Sequence, residues 1–84
     1  MKETITIDLE KLWSKDETAK LSKKSEYINE AIKLAGKGNN IVLTGKSPVW
    51  LYMLVQHELH GITTSLTYDS PVTGKVVVYD HNPF

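Results

Sequence analysis

The sequence predicts a small α/β (α+β) domain: a four-stranded mixed sheet with two helices on one face, ordered strand, helix, strand, helix, strand, strand. Three observations predict it. Period-two alternation opens the chain in TITIDLEK, helical spacing follows in SEYINEAIKLAGKGNN and SPVWLYMLVQHELHG, and two strand-like runs flank the turn-forming SPVTG. Eighty-four residues hold one core, so residues 1–84 are read as a single domain.

In TITIDLEK, Ile5, Ile7 and Leu9 fall on one face and Thr4, Thr6 and Asp8 on the other, placing the first strand at about residues 4 to 10. LWSKDETAKLSKK is lysine-rich with isolated apolar residues, and fits a loop, a short helical turn or both. Next, Ser25 is the expected helix cap, Ile28, Ala31, Ile32 and Ala35 recur at helical spacing, and Gly36, Gly38, Asn39 and Asn40 stop the pattern. Glu26, Glu30 and Lys33 form the solvated side.

IVLTG is too short for a helix and reads as a central strand reached by a crossover. Ser47 then caps a helix over about 48 to 60, with Pro48 at its first position, where the missing proline N–H costs nothing. From Val49 to Val55 that helix is apolar on nearly every side. One small sheet cannot cover it all, so part is expected to face another subunit. Gly61 ends the helix, and ITTSLTYD and GKVVVYD are two strands around a five-residue hairpin loop, SPVTG.

Composition narrows the function. Ten lysines balance ten acidic residues and there is no arginine, so no field gathers long nucleic acid and DNA is not an expected partner. A small anion held by backbone N–H groups remains compatible. The absence of cysteine removes disulfides, thiolate catalysis and cysteine-ligated metal sites. Without a signal-like N-terminus or a run of transmembrane length, the expectation is a cytoplasmic protein with no membrane contact.

His57 and His60 lie one turn apart at the end of the apolar helix, continuing a stripe from Trp50 and Met53. The negative helix end favours protonated imidazole, which suits anion binding or proton donation. A hairpin running back from SPVTG delivers His81 near Gly61 and His60, so all three histidines are expected at one end. Histidines at a helix end also serve as plain caps or surface residues, and HELHG is not the H-E-x-x-H of zinc peptidases. Asp69 is expected on the order of 25 Å from the His60 end of its own chain, at about 3.3 Å per strand residue. An aspartate opening DSPVTG also satisfies turn amides. TGKS lacks the first glycine of a phosphate loop, since residue 40 is Asn, and Pro48 follows Ser47. What remains is a strand-to-helix turn whose Lys46 and free helix N–H groups can hold one phosphate.

IVLTGKSPVWLYMLVQHELH followed by TYDSPVTGKVVVYDH resembles the small CRISPR-associated ring nucleases of the Csx-three type, over about residues 40 to 81. G-[KR]-x-P-[VI]-W, the paired helix histidines, and Tyr-Asp ahead of a turn and a valine-rich strand carry the resemblance together. It implies cleavage of cyclic tetra-adenylate, the ring messenger of type III CRISPR effectors, and manganese-dependent action on adenylate-rich RNA 3′ ends. By the same resemblance His60 and Asp69 are catalytic, and Gly45, Lys46, Ser47, Pro48 and Trp50 contact ligand phosphate and base. His57, His60, Asp69 and His81 become the metal-associated set. A homodimer or higher stacked assembly is implied, with the messenger between copies and His60 of one meeting Asp69 of another. Two departures are Lys46 where the family often has arginine, and a proline delayed to Pro71. Attack by the ribose 2′-OH needs no cofactor, whereas attack by metal-bound water needs manganese. A non-enzymatic cyclic-oligonucleotide or RNA-binding module and a structural homodimer are the alternatives left open by the residues themselves.

Overall fold

The computed structural model describes residues 3–81; Met1, Lys2 and residues 82–84 of the expected 1–84 domain lie outside the described residues. Strands β1 (Thr4–Asp8), β2 (Asn40–Thr44) and β3 (Ser65–Ser70) run parallel, and β4 (Gly74–Asp80) returns antiparallel at the edge, in the order β1-β2-β3-β4. Between the strands lie α1 (Leu9–Trp13), α2 (Lys24–Ala35) and α3 (Val49–Leu59). Both crossovers step the same way across the sheet, so right-handed connection puts α2 and α3 on one face. This is the expected mixed sheet, with α1 added.

The strand expected over residues 4 to 10 stops at Asp8. There Asp8 Oδ1 accepts the Glu10 N–H at 3.0 Å, and this cap opens α1. Leu9 is therefore helical, yet it is fully buried, so the alternation predicted its burial and not its conformation. The lysine-rich stretch contains two short 3₁₀ turns, Ser14–Asp16 and Leu21–Lys23. Asp16 ties it to α2 by accepting the Lys23 ammonium at 2.7 Å and the Tyr27 hydroxyl at 2.9 Å. The Lys23 bond, followed by the Tyr27 bond, holds the Asp16 carboxyl below its usual range.

Ser25 does not cap α2. The second 3₁₀ turn runs straight into the helix, so Lys23 takes the cap position without a side-chain bond and Ser25 lies inside. Tyr27, Ala31 and Ala35 are its buried stripe, while Glu26, Glu30 and Lys33 stay exposed as expected. On α3, Leu51, Val55 and Leu59 are fully buried at spacing i, i+4, i+8. They close on Ile7, Ile41, Leu43 and Leu66 of the sheet. Val49 and Met53 remain 70% and 66% exposed, the uncovered apolar side that the sequence predicted. Pro48 is the cap of α3 rather than its first residue: its ψ of 149° is extended, and its carbonyl accepts the Leu51 and Tyr52 N–H groups. Ser47 Oγ bonds the Pro48 carbonyl instead of capping.

β3 starts at Ser65, because the N–H groups of Ile62 and Thr63 are still engaged by the Leu59 carbonyl. The hairpin loop spans three residues, 71–73, rather than five, since Ser70 pairs with Gly74. Further along, Thr67 pairs with Val77 but Leu66 pairs with Tyr79, leaving Val78 as the extra residue of a β-bulge. Paired residues share a face, so an unbulged ladder would set Tyr79 against Ser65 and turn both Tyr79 and His81 away from the helices. The bulge turns them toward α3.

Deleting Val78 removes the unpaired residue and keeps Tyr79 opposite Leu66. The variant should fold at a cost of no more than about 2 kcal/mol, with cross-strand nuclear Overhauser contacts from Leu66 to Tyr79 retained. Contacts from Ser65 to Tyr79 would contradict this account of the register.

Candidate functional site

The parallel strands point their carboxyl ends at one edge of the sheet, and there the turn from β2 to α3 opens a cleft of about 670 Å³. Gly45, Lys46 and Ser47 form one wall, Tyr52 and Tyr68 another, and Glu10 and Asp69 bring two carboxylates. Gly45 has φ of +96°, and a Cβ there would stand 1.9 Å from Asp8 Oδ1. Glycine therefore lets the turn cross directly over the cap of α1. Side chains hold the turn's carbonyls: Tyr52 donates to Gly45 at 2.6 Å and Trp13 Nε1 to Lys46 at 3.1 Å. The Tyr52 hydroxyl pKa is pushed up to about 12 by burial, with Tyr68 and Asp8 adding to the shift, so Tyr52 remains a donor at neutral pH. Tyr68 packs edge-on against it with ring centroids 5.0 Å apart. The first N–H groups of α3 have no helical acceptor by the geometry of any helix start. Lys46 stands beside them in the wall of the cleft.

Pro48 and Trp50 do not line this cleft; Trp50 is half-buried against the core, and Val49 and Tyr52 stand where the sequence pointed to Trp50.

The histidines occupy the opposite edge. His60 ends α3, its N–H bonded to the Gln56 carbonyl, and His81 follows β4, its N–H bonded to the Thr64 carbonyl at 2.8 Å. Their Nε2 atoms meet at 3.2 Å, with both residues exposed. When both rings are neutral, one Nε2 carries the proton and the other accepts it, so the pair holds opposite tautomers. Tyr79 packs edge-on to His60, centroids 4.6 Å apart, and stacks on His81 at 5.0 Å. Its hydroxyl pairs with Thr63 Oγ1, which donates to the Leu59 carbonyl at 2.7 Å. His57, exposed one turn earlier, makes no hydrogen bond or ring contact with this cluster.

His60 and His81 thus come together and Asp69 does not. Thr64, beside His81, is five residues from Asp69 along β3, or roughly 17 Å at about 3.3 Å per residue. That alone is far beyond contact. Among the described residues no group of three or more histidine, aspartate or glutamate side chains is placed to hold a metal. The set His57, His60, Asp69 and His81 does not come together to hold manganese within one chain.

Several site residues escaped the sequence reading. Glu10 and Asp8 were hidden by the early end of β1, Tyr52 lies in a run that reads simply as apolar, and Tyr68 stood in the Tyr-Asp motif without a role of its own. Tyr79 carried a usable signal: it is two residues from His81, hence on the same strand face.

The molecule is a small α/β sheet domain with a cleft at the carboxyl ends of its parallel strands. The profile of the family described as CRISPR-associated protein (Cas_csx3) matches residues 27–84, and the chain belongs to that family. No curated protein and no solved structure matches the chain. No helix among the described residues is long and apolar enough to cross a membrane.

Two outcomes test the cleft. Gly45→Ala should cost about 2 to 4 kcal/mol in denaturant unfolding, from left-handed strain and displacement of the Asp8 cap. Because that cap is already displaced, Asp8→Ala should cost about 1 kcal/mol less in the Gly45→Ala background than alone; full additivity would reject the contact. Tyr52, raised above its ordinary value on folding, contributes stability that is complete below about pH 10 and is lost as pH rises through about 12. An ultraviolet titration should show a late-titrating phenol that Tyr52→Phe removes.

Proposed function

We propose that this protein is a ring nuclease that binds cyclic tetra-adenylate and cleaves its 3′–5′ linkages. Each complete site is built by two subunits, His60 of one meeting Asp69 and the Gly45–Ser47 turn of the other. The observation that carries this reading is the division of the chemistry among the described residues: one edge brings together the exposed imidazoles of His60 and His81, and the other gathers Lys46, Glu10 and Asp69 around the turn into α3. Membership of the CRISPR-associated family supports it.

Attack by the ribose 2′-OH uses groups that the chain supplies. The 2′ oxygen bonds to the adjacent phosphorus, the P–O5′ bond breaks, the 2′ proton passes to a base and the leaving 5′ oxygen takes a proton from an acid. The products are a 2′,3′-cyclic phosphate and a 5′-OH. His60 serves as acid or base near neutral pH, Asp69 orients it, and Lys46 with the α3 N–H groups balances charge on the phosphorane. Adenylate-rich RNA 3′ ends present the same linkage and are a second substrate of the same site.

The assembly is a homodimer or a higher stack. Val49, Met53 and Val78 are exposed along an apolar groove of about 300 Å³ between α3 and β4, surface that a second copy would bury.

His60→Ala and Asp69→Ala should each lower cleavage of cyclic tetra-adenylate at least about a hundredfold while leaving ligand affinity nearly intact. Mixed in equal amounts, the two inactive variants should regain about a quarter of wild-type sites, because half the dimers are mixed and each has one intact site. No recovery, with subunit exchange confirmed, rejects the shared site. A wild-type protein that leaves the ring intact, with and without manganese, rejects the nuclease.

A further inference from the structure

We infer that Tyr79 and Thr63 are positioning residues that hold the His60–His81 pair in register, an inference that rests on the reading of His60 as the acid or base. Both histidines are exposed, and exposed imidazoles otherwise distribute over several rotamers. A 3.2 Å contact between two such ring nitrogens needs a rigid support. Tyr79 supplies it. Its ring touches both imidazoles, edge-on to His60 with an interplanar angle of 73° and stacked on His81 at 29°. Its body packs against the core, so the support is rooted in the fold.

The hydroxyl fixes where the ring lies. Thr63 Oγ1, on a residue 6% exposed, gives its one proton to the Leu59 carbonyl and so accepts from Tyr79. Leu59 immediately precedes His60 and is itself fully buried. Helix end, turn and strand are thereby joined by one chain of hydroxyl bonds that begins beside one histidine and ends at the ring packed on both. The Val78 bulge completes the device by turning Tyr79 and His81 to the face where His60 stands. The outcome is a fixed pair of opposite tautomers: one imidazole offers an Nε2 proton and the other accepts it.

The test compares full-length variants by steady-state cleavage of cyclic tetra-adenylate and by ¹⁵N shifts of the histidine rings above their titration range, which report tautomer. Tyr79→Leu should lower kcat about 10- to 100-fold with KM changed less than about twofold, and should return both rings to a common tautomer mixture. Thr63→Val should lower kcat about 3- to 10-fold, Tyr79→Phe similarly, and Thr63→Ser, which keeps the hydroxyl, should restore wild-type turnover. If Tyr79→Leu fails to fold, the Thr63→Val, Thr63→Ser and Tyr79→Phe comparison decides. Unchanged turnover in the folded Tyr79→Leu or Thr63→Val protein, or opposite tautomers that persist in them, overturns the inference. If the wild type does not cleave the ring, the nuclease reading falls by itself, and the tautomer comparison still decides whether Tyr79 and Thr63 hold the pair.

Discussion

The β2–α3–β3 crossover is the constraint on which the rest depends. A right-handed crossover must carry the chain up one strand, back down a helix and up the next strand. The start of α3 therefore lies with the end of β3, and the end of α3 with the start of β3. That places the Gly45 turn beside Asp69 and sends His60 to the opposite edge. Because β4 runs back along β3, His81 must finish beside His60. No rotamer choice can bring His60 and Asp69 of one chain together. If they act on one linkage, the second group comes from another molecule, and the apolar side of α3 gives that molecule a surface to bury.

Charge points the same way. The cleft has Lys46 against Glu10 and Asp69, a poor balance for a polyanion if the chain works alone. The proposed phosphate site there rests on the helix start, where N–H dipoles count without formal charge. The opposite edge carries the paired imidazoles of His60 and His81. In the proposed assembly these rings stand against the cleft and add hydrogen-bond donors where the carboxylates stand. In the proposed assembly a formally neutral chain without arginine binds its ligand by geometry rather than by net charge.

The fold was largely legible because its elements carry unambiguous periods. Leu51, Val55 and Leu59 mark a helix face whatever their neighbours, and Ile41 and Leu43 mark a strand. Boundaries failed where a local bond outcompeted the pattern. Asp8 capping Glu10 ended β1 two residues early, and Pro48 displaced Ser47 from the cap of α3 because its fixed φ and extended ψ already make the corner. The site was half legible. His60 meeting His81 followed from counting residues around a hairpin, whereas Tyr52, Tyr68 and Glu10 depended on which side of a strand or turn faced the cleft. That turned on contacts between segments far apart in sequence, such as Trp13 with Lys46.

The hairpin count reached the correct neighbour for a reason the sequence did not display. Continued as a regular ladder from the turn, β4 would present Asp80 to the helices and Tyr79 to the open face. With the bulge, Tyr79 and not Val78 takes the place opposite Leu66 and packs its partly buried ring against the core, while Val78 is left unpaired at a cost of about one ladder bond, or roughly 1 kcal/mol. The same shift that buries Tyr79 carries His81 with it, two residues on and on the same side. The imidazole pair is thus selected by packing in the core, and the residue that anchors the register also touches both rings.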